Sequence, residues 1–392
     1  MHEVASCIGP DRSFRPAFGM FDPPNGVRLM IKLGIIGFGR RISGIVKSLV
    51  ALDPDCHVTG VVDPDATGAR TRLPEADRTT ARFYPSLSAL IRRGQPDALL
   101  IGTRCNLHAR YATAAAAAGL PLFLEKPIAT SLRQARALEH AWRDAKGEVV
   151  VSFPLRVSHL CIEAKRRLDA GAVGRVEHLL GVNYVPYGKV YFEGWYRDYQ
   201  ITQGLFLQKA THDFDYLALL AGAPIVRVAA MMAQGRVHRD SSLEPPGGDP
   251  EAVYYPHIGT PETGMNEDAS SALLEFANGA KGVYTQVFYT RNSAATRGAT
   301  ISGFKGTLRF DWYGNDLKVV PHAPDTPPEH YQPPAGQEHF GGDAELVANF
   351  SAVIRGKARS ASPLRAGLQS VHACLAAKRS AETGRFVNVQ TV

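Results

Sequence analysis

A short apolar run, Leu33-Gly34-Ile35-Ile36, breaks into Gly37-Phe38-Gly39-Arg40, and the next apolar run, Val58 to Val62, ends on Asp63. That layout is a strand, a tight turn and a helix N-terminus that receives a dinucleotide pyrophosphate. Gly37 lets the chain leave the strand sharply, and Gly39, without a Cβ, lets the backbone approach the phosphates. The helix that follows turns its free N–H groups and the positive end of its dipole toward the anion. Gly37, Phe38, Gly39 and Arg40 are therefore the predicted phosphate turn. Asp63 is placed to accept hydrogen bonds from ribose hydroxyls and to repel a 2′-phosphate. NAD is the expected cofactor and NADP the alternative, which Arg40 and Arg70 would favour. The third small residue of the G-x-G-x-x-G/A pattern is Ile42, so a looser or shifted helix–strand contact is expected.

From Ile31 to Val151 short β-rich runs (31–37, 57–63, 98–103, 121–125, 148–153) alternate with helical stretches (42–52, 86–93, 106–118, 131–145). Ser86 and Ser131 stand at N-cap positions, and Gly119 closes the alanine-rich helix. Such alternation predicts a doubly wound parallel sheet, a Rossmann domain over residues 30–151. Residues 1–29 read as an N-terminal extension ahead of Met30. Beyond 152 the pattern changes. Ser158 is a candidate cap for a helix running to Gly171. Longer alternating segments follow at 175–185, 225–237, 270–289 and 299–313, and Asn278-Gly279 marks a hairpin turn. Residues 238–268 read as a long loop, and a last helix at 364–382 stops at Gly384. The fold class is thus α/β: the Rossmann sheet plus a C-terminal α+β domain, 152–392, with a large, mostly antiparallel sheet for substrate binding and oligomerisation.

The 392 residues suffice for two cores. The net charge of +7 is spread along the chain and forms no dense basic stripe of the kind nucleic acids require. No apolar run reaches the roughly 18–20 residues of a membrane span, and the first residues lack a secretory h-region. Five scattered cysteines without a C-x-x-C pair suit neither a disulfide framework nor a zinc site. The reading is a cytoplasmic protein with no metal site, no nucleic-acid partner and no membrane partner.

Leu122-Phe123-Leu124-Glu125-Lys126-Pro127 places charge at the carboxyl end of a buried strand, where open α/β sheets bind ligands. Lys126 suits stabilisation of an alkoxide as hydride leaves, and Glu125 either holds that ammonium or approaches the cofactor ribose. A cis bond before Pro127 is open on sequence grounds. Thr211-His212-Asp213-Phe214-Asp215 lies in a predicted helix whose spacing sets Gln208, His212 and Asp215 on one face, with Lys209 adjacent. Ammonium groups beside His212 would lower its pKa and leave a neutral base. These motifs, with Gly341-Gly342-Asp343 and Ser380-Ala381-Glu382-Thr383-Gly384-Arg385, make residues 31–390 resemble the Gfo/Idh/MocA family of oxidoreductases. The resemblance implies NAD(P), substrates drawn mostly from sugars, sugar derivatives and cyclitols, and active-site roles for Lys126 and His212. It also places cofactor-proximal residues at Thr103 to His108, although Thr103-Arg104 stands where the family has Thr-Pro. Many members carry an aspartate where this chain has Gln208, an amide unable to act as acid or base. The relay then rests on Lys126 and His212, with Lys209 either joining it or lying at the surface.

Trp195 and Arg197 are candidate substrate contacts, since aromatic faces pack on sugar C–H faces and guanidinium groups bind hydroxyls or carboxylates. Arg156, Gln208, Lys209 and Asp215 complete the substrate-side candidates. The leading expectation is an NAD-dependent dehydrogenase acting on a secondary hydroxyl of a sugar or cyclitol, assembled as a homodimer or homotetramer. Its alternatives are a redox-neutral glycoside hydrolase or lyase of the same fold and a non-catalytic ligand-sensing regulator.

Overall fold

The computed structural model describes residues 30–235, 264–335 and 338–390. The expected extension 1–29 and most of the loop expected at 238–268 lie outside the described residues. Strands β1 (Ile31–Ile36), β2 (Cys56–Val62), β3 (Arg82–Phe83), β4 (Ala98–Ile101), β5 (Leu122–Leu124) and β6 (Val149–Val151) form a parallel sheet in the order β3-β2-β1-β4-β5-β6. β4, β5 and β6 are buried at every residue, as continuous apolar runs in a sheet covered on both faces should be. Chain order reverses between β1 and β4, which opens a crevice at the carboxyl ends of those strands.

The helix Arg40–Leu52 buries Ile42, Ile45, Val46 and Leu49, a stripe of helical period. Ser86 and Ser131 cap as expected, their hydroxyls accepting from the N–H groups of Ala89 and Gln134. Ser158 does not cap its helix, His159–Asp169. Its hydroxyl donates to the Leu155 carbonyl and accepts from the Trp312 indole, so tertiary contacts take the group that sequence assigns to a local role. The helix Ala66–Arg72 and strand β3 were not anticipated. Both are short, and the helix buries only Ala69, which leaves no periodic signal.

The second sheet has nine strands: β7 (Val176–Tyr184), β8 (Ile225–Gln234), β9 (Glu267–Phe276), β10 (Lys281–Val287), β11 (Thr296–Gly303), β12 (Gly306–Asp311), β13 (Asp316–Pro321), β14 (Glu329–Tyr331) and β15 (Val387–Asn388). Their order is β14-β13-β12-β11-β7-β10-β9-β8-β15, antiparallel except where β7 runs parallel to β10. The segment 270–289 folds at Asn278-Gly279 with Gly279 at φ +92°. The segment 299–313, read as one element, is a second hairpin of β11 and β12. β9 begins at Glu267, inside the stretch read as loop.

After the second sheet the chain returns to the six-stranded one. The helix Gly342–Ile354 sends Leu346, Val347, Phe350 and Val353 into the same apolar cluster as Leu33, Ile35, Leu100 and Phe123. Arg355, just beyond it, grips Asp53 with two hydrogen bonds of 2.9 and 2.6 Å. This return strap fixes the Rossmann sheet against the second domain. Among the described residues no helix is long and apolar enough to cross a membrane.

Candidate active site at the domain junction

The crevice begins at the glycine turn. Gly37 sits at φ +78°, and a Cβ there would lie 2.7 Å from the Thr103 amide nitrogen, so both conformation and space demand glycine. Gly39 is different: it has an ordinary φ of −74°, and a Cβ would meet nothing within 4 Å. The protein's own packing does not need that glycine, whereas close approach of a phosphate does. No side chain caps the helix that Gly39 opens, so its first-turn N–H groups are available to an anion. Phe38 buries its ring completely. Its N–H donates to Asp63 Oδ2 at 2.6 Å and its carbonyl accepts from Arg72 Nε at 2.7 Å. Arg40 is exposed at the mouth of the turn, while Arg70 is occupied by the Arg78 carbonyl and the Phe83 ring.

Of the looser or shifted contact expected at Ile42, the structure has the shifted one. A Cβ on Gly102 would lie 2.0 Å from Ile42 Cγ1, so the branched side chain fills the space that a glycine after β4 leaves open. The small residue of the close contact has moved from helix to strand end.

Arg41 is one residue that sequence reasoning missed. Its guanidinium binds both oxygens of Asp343, at 2.6 and 2.7 Å, and also reaches Glu125 Oε1 at 3.1 Å and Ser152 Oγ at 3.2 Å. One side chain thus ties the dinucleotide helix to the strand β5 exit and to the Gly341-Gly342-Asp343 motif. Glu125 therefore holds a guanidinium rather than the Lys126 ammonium. Burial works to raise the Asp343 carboxyl, but Arg41 and His339 outweigh it and hold the group below the usual carboxylate range.

The Lys126–Pro127 bond is cis. Lys126 Nζ donates to the Gln208 main-chain carbonyl at 2.8 Å, across the junction between domains. Burial lowers its pKa to about 8, aided by Lys209 and Arg41 and opposed by Cys105 and Glu125. His108 is buried with Nδ1 2.8 Å from the Pro127 carbonyl and Nε2 3.0 Å from the Thr103 carbonyl. It therefore fixes the two loops that border the crevice. Thr103 Oγ1 donates to the Arg104 carbonyl at 3.2 Å.

The facing helix is broken at Lys209 (φ −118°) into Leu205–Gln208 and Ala210–Ala221. That break replaces the continuous face expected through Gln208, His212 and Asp215. Gln208 stays in the crevice, its side-chain carbonyl accepting from the Cys105 thiol at 3.3 Å. His212 is buried, edge-on to Phe153, and its Nδ1 has no hydrogen-bond partner among the described residues. Burial, then Lys126, Arg297 and Lys209, push its pKa well below the ordinary histidine value, so the ring is neutral. Asp215 does not orient it: its Oδ1 accepts from Arg156 at 2.6 Å, and Arg156 also donates to the Ala361 carbonyl. Asp213 is held by both arms of Arg297.

Lys209 is buried, with Nζ 2.6 Å from the Tyr187 hydroxyl and 4.8 Å from the centre of that ring. Trp195 stacks on Tyr196 with centroids 3.9 Å apart, and the Arg104 guanidinium lies 4.4 Å from the Trp195 ring. This stack bridges the loop after β4 and the second domain, while Arg197 is exposed beside it. Among the described residues no cluster of three or more metal-ligating side chains occurs.

Two family profiles match the chain: an oxidoreductase family with an NAD-binding Rossmann fold over residues 31–153, and a GFO/IDH/MocA C-terminal domain over 161–309. The NAD(+)-linked scyllo-inositol 2-dehydrogenase of Bacillus subtilis is 24% identical over 57% of this chain and 63% of its own length. Inositol 2-dehydrogenase 2 of Saccharopolyspora erythraea is 28% identical over 52% of this chain and 57% of its own. The chain thus spans less than two thirds of either relative. A levoglucosan dehydrogenase solved with NADH and levoglucosan superimposes with a TM-score of 0.75, covering 92% of this chain and all of the other at 19% identity, which shows a shared fold.

Proposed function

Because the chain belongs to the Gfo/Idh/MocA oxidoreductase family, we propose that it is an NAD-dependent dehydrogenase. It exchanges hydride between the nicotinamide and a secondary hydroxyl of a sugar, sugar derivative or cyclitol. The observation that carries this reading is the meeting of Lys126 with the Gln208 carbonyl, four residues before His212. An ammonium from one domain and a neutral imidazole from the other thereby face one crevice. The uncapped helix, the open space at Gly39 and the Asp63 carboxylate fit a dinucleotide. When bound, NAD supplies the hydride acceptor.

The chain's own groups handle the proton and the charge. Lys126 exchanges the Gln208 carbonyl for the reacting hydroxyl oxygen and stabilises negative charge as it develops there. The neutral His212 imidazole receives the hydroxyl proton. His108 holds the Thr103 and Pro127 loops in register. Arg41 keeps Glu125 off the ammonium, leaving Lys126 to the substrate.

The test is a panel of sugars and cyclitols with NAD and NADP in parallel, followed by nicotinamide absorbance. Reduction of NAD by at least one polyol is expected, with NAD preferred. Aglycone release from a glycoside without net NADH would replace this reading by the redox-neutral one.

A further inference from the structure

Among the described residues the charges around the crevice do not balance. Arg41 is taken by Asp343 and Glu125, Arg297 by Asp213, and Arg156 by Asp215. Three of the remaining cations are Lys126, Lys209 and Arg104. Lys126 donates to the Gln208 carbonyl, and Lys209 is the next residue. Arg104 adjoins Cys105, whose thiol donates to the Gln208 side chain. Each is held by neutral partners: a carbonyl, a phenol and an indole face. Among the described residues none of the three makes an ion pair with a carboxylate. A buried ammonium without an anion is costly, and the cost falls when a ligand brings the counter-charge.

Resting on the dehydrogenase reading, we propose that the substrate is a polyhydroxylated carboxylic acid of the aldonic or uronic type. Its carboxylate is received by Lys209 and Tyr187 while its carbinol faces Lys126 and His212. The Tyr187 hydroxyl accepts from Lys209 and keeps its own hydrogen to donate to the carboxylate. Tyr187 as a residue is 46% exposed, while Lys209 is buried. Burial, followed by Arg297, depresses the Lys209 pKa against the pull of Tyr187 and Asp213, as befits an ammonium awaiting an anion.

The experiment pairs each of several uronic and aldonic acids with its neutral parent. It measures kcat/KM from nicotinamide reduction and, separately, binding to the NADH-loaded enzyme by calorimetry. The acid is expected to be favoured by about 10–100-fold over its parent, in binding as well as turnover. Lys209→Met should collapse that ratio by a similar factor. Lys47→Met, an exposed cation on the dinucleotide helix, should leave it unmoved. Equal or better turnover of neutral parents overturns the proposal, as does preference for sugar phosphates over acids. A tyrosinate ultraviolet band at neutral pH that disappears in Tyr187→Phe also overturns it, because Lys209 would then already have its anion. Failure of NADH to bind, or of every polyol to reduce NAD, would instead strike the dehydrogenase reading itself.

Discussion

The two walls of the crevice are built on opposite electrostatic plans. On the dinucleotide side, charge is cancelled locally: Arg41 lies between Asp343 and Glu125, and Asp63 accepts from backbone N–H groups of Phe38 and Asp65. On the substrate side, Lys126 and Lys209 rest on neutral oxygens, and His212 has a nitrogen without a partner among the described residues. The first wall is a scaffold, its Asp343 carboxylate held below the usual range by Arg41 and His339. The second holds groups brought toward neutrality by burial, at the energetic cost that unpaired buried polar groups carry. The comparison separates what fixes the crevice from what acts inside it.

Replacing the ammonium of the second wall should break the contrast most severely. Lys126→Met is expected to lower kcat about 10²–10⁴-fold while leaving NADH binding measurable by fluorescence. With Lys126 at about 8, kcat/KM for oxidation should fall as pH rises through that value. Lys126→Arg, which stays charged, should lack that limb in a pH–rate profile. Stability moves the other way. Between about pH 8 and the ordinary lysine pKa the unfolded chain binds the proton that folded Lys126 has released. Folding should therefore gain stability with rising pH there, and urea midpoints should show that gain missing in Lys126→Met.

The first wall is sharpened by its exchanged small residue. Gly102→Ala drives a methyl into Ile42 and should cost about 1–3 kcal/mol. Adding Ile42→Ala should recover much of that loss, a coupling that a thermal or urea double-mutant cycle reads directly. Gly39→Ala completes the series with the smallest effect on folding, within about 0.5 kcal/mol, because the added methyl meets open space. NADH affinity should nevertheless weaken in the same protein. Asp63→Ser should relax the preference for NAD over NADP in steady-state assays, and any loss of stability in that variant reports the bond from Phe38.

The legible part of this site lay in contiguous motifs. Gly37-Phe38-Gly39, Glu125-Lys126-Pro127 and the His212 segment each carry a local signature, since a turn, a strand end and a helix are set by neighbours in sequence. Arg41 carried none. Its partners are 84 and 302 residues away, and beside Arg40 it reads as one more surface cation of a first turn. Tyr187 was hidden for the same reason, being 22 residues from the lysine it meets. Gly102 was visible only as a strand end until Ile42 was placed against it.

Sequence alone determined the kinds of parts: a parallel sheet from buried apolar runs, an antiparallel one from alternation, and a dinucleotide turn from glycines that only backbone geometry can require. Tertiary structure decided which charges cancel and which do not. Ion pairing depends on distances of a few ångströms between residues that the chain keeps hundreds of positions apart, and no local pattern encodes that. The break at Lys209 shows the same division, because helical period sets Gln208, His212 and Asp215 on one face, and packing against Lys126 on one side and Arg156 on the other pulls them into separate roles.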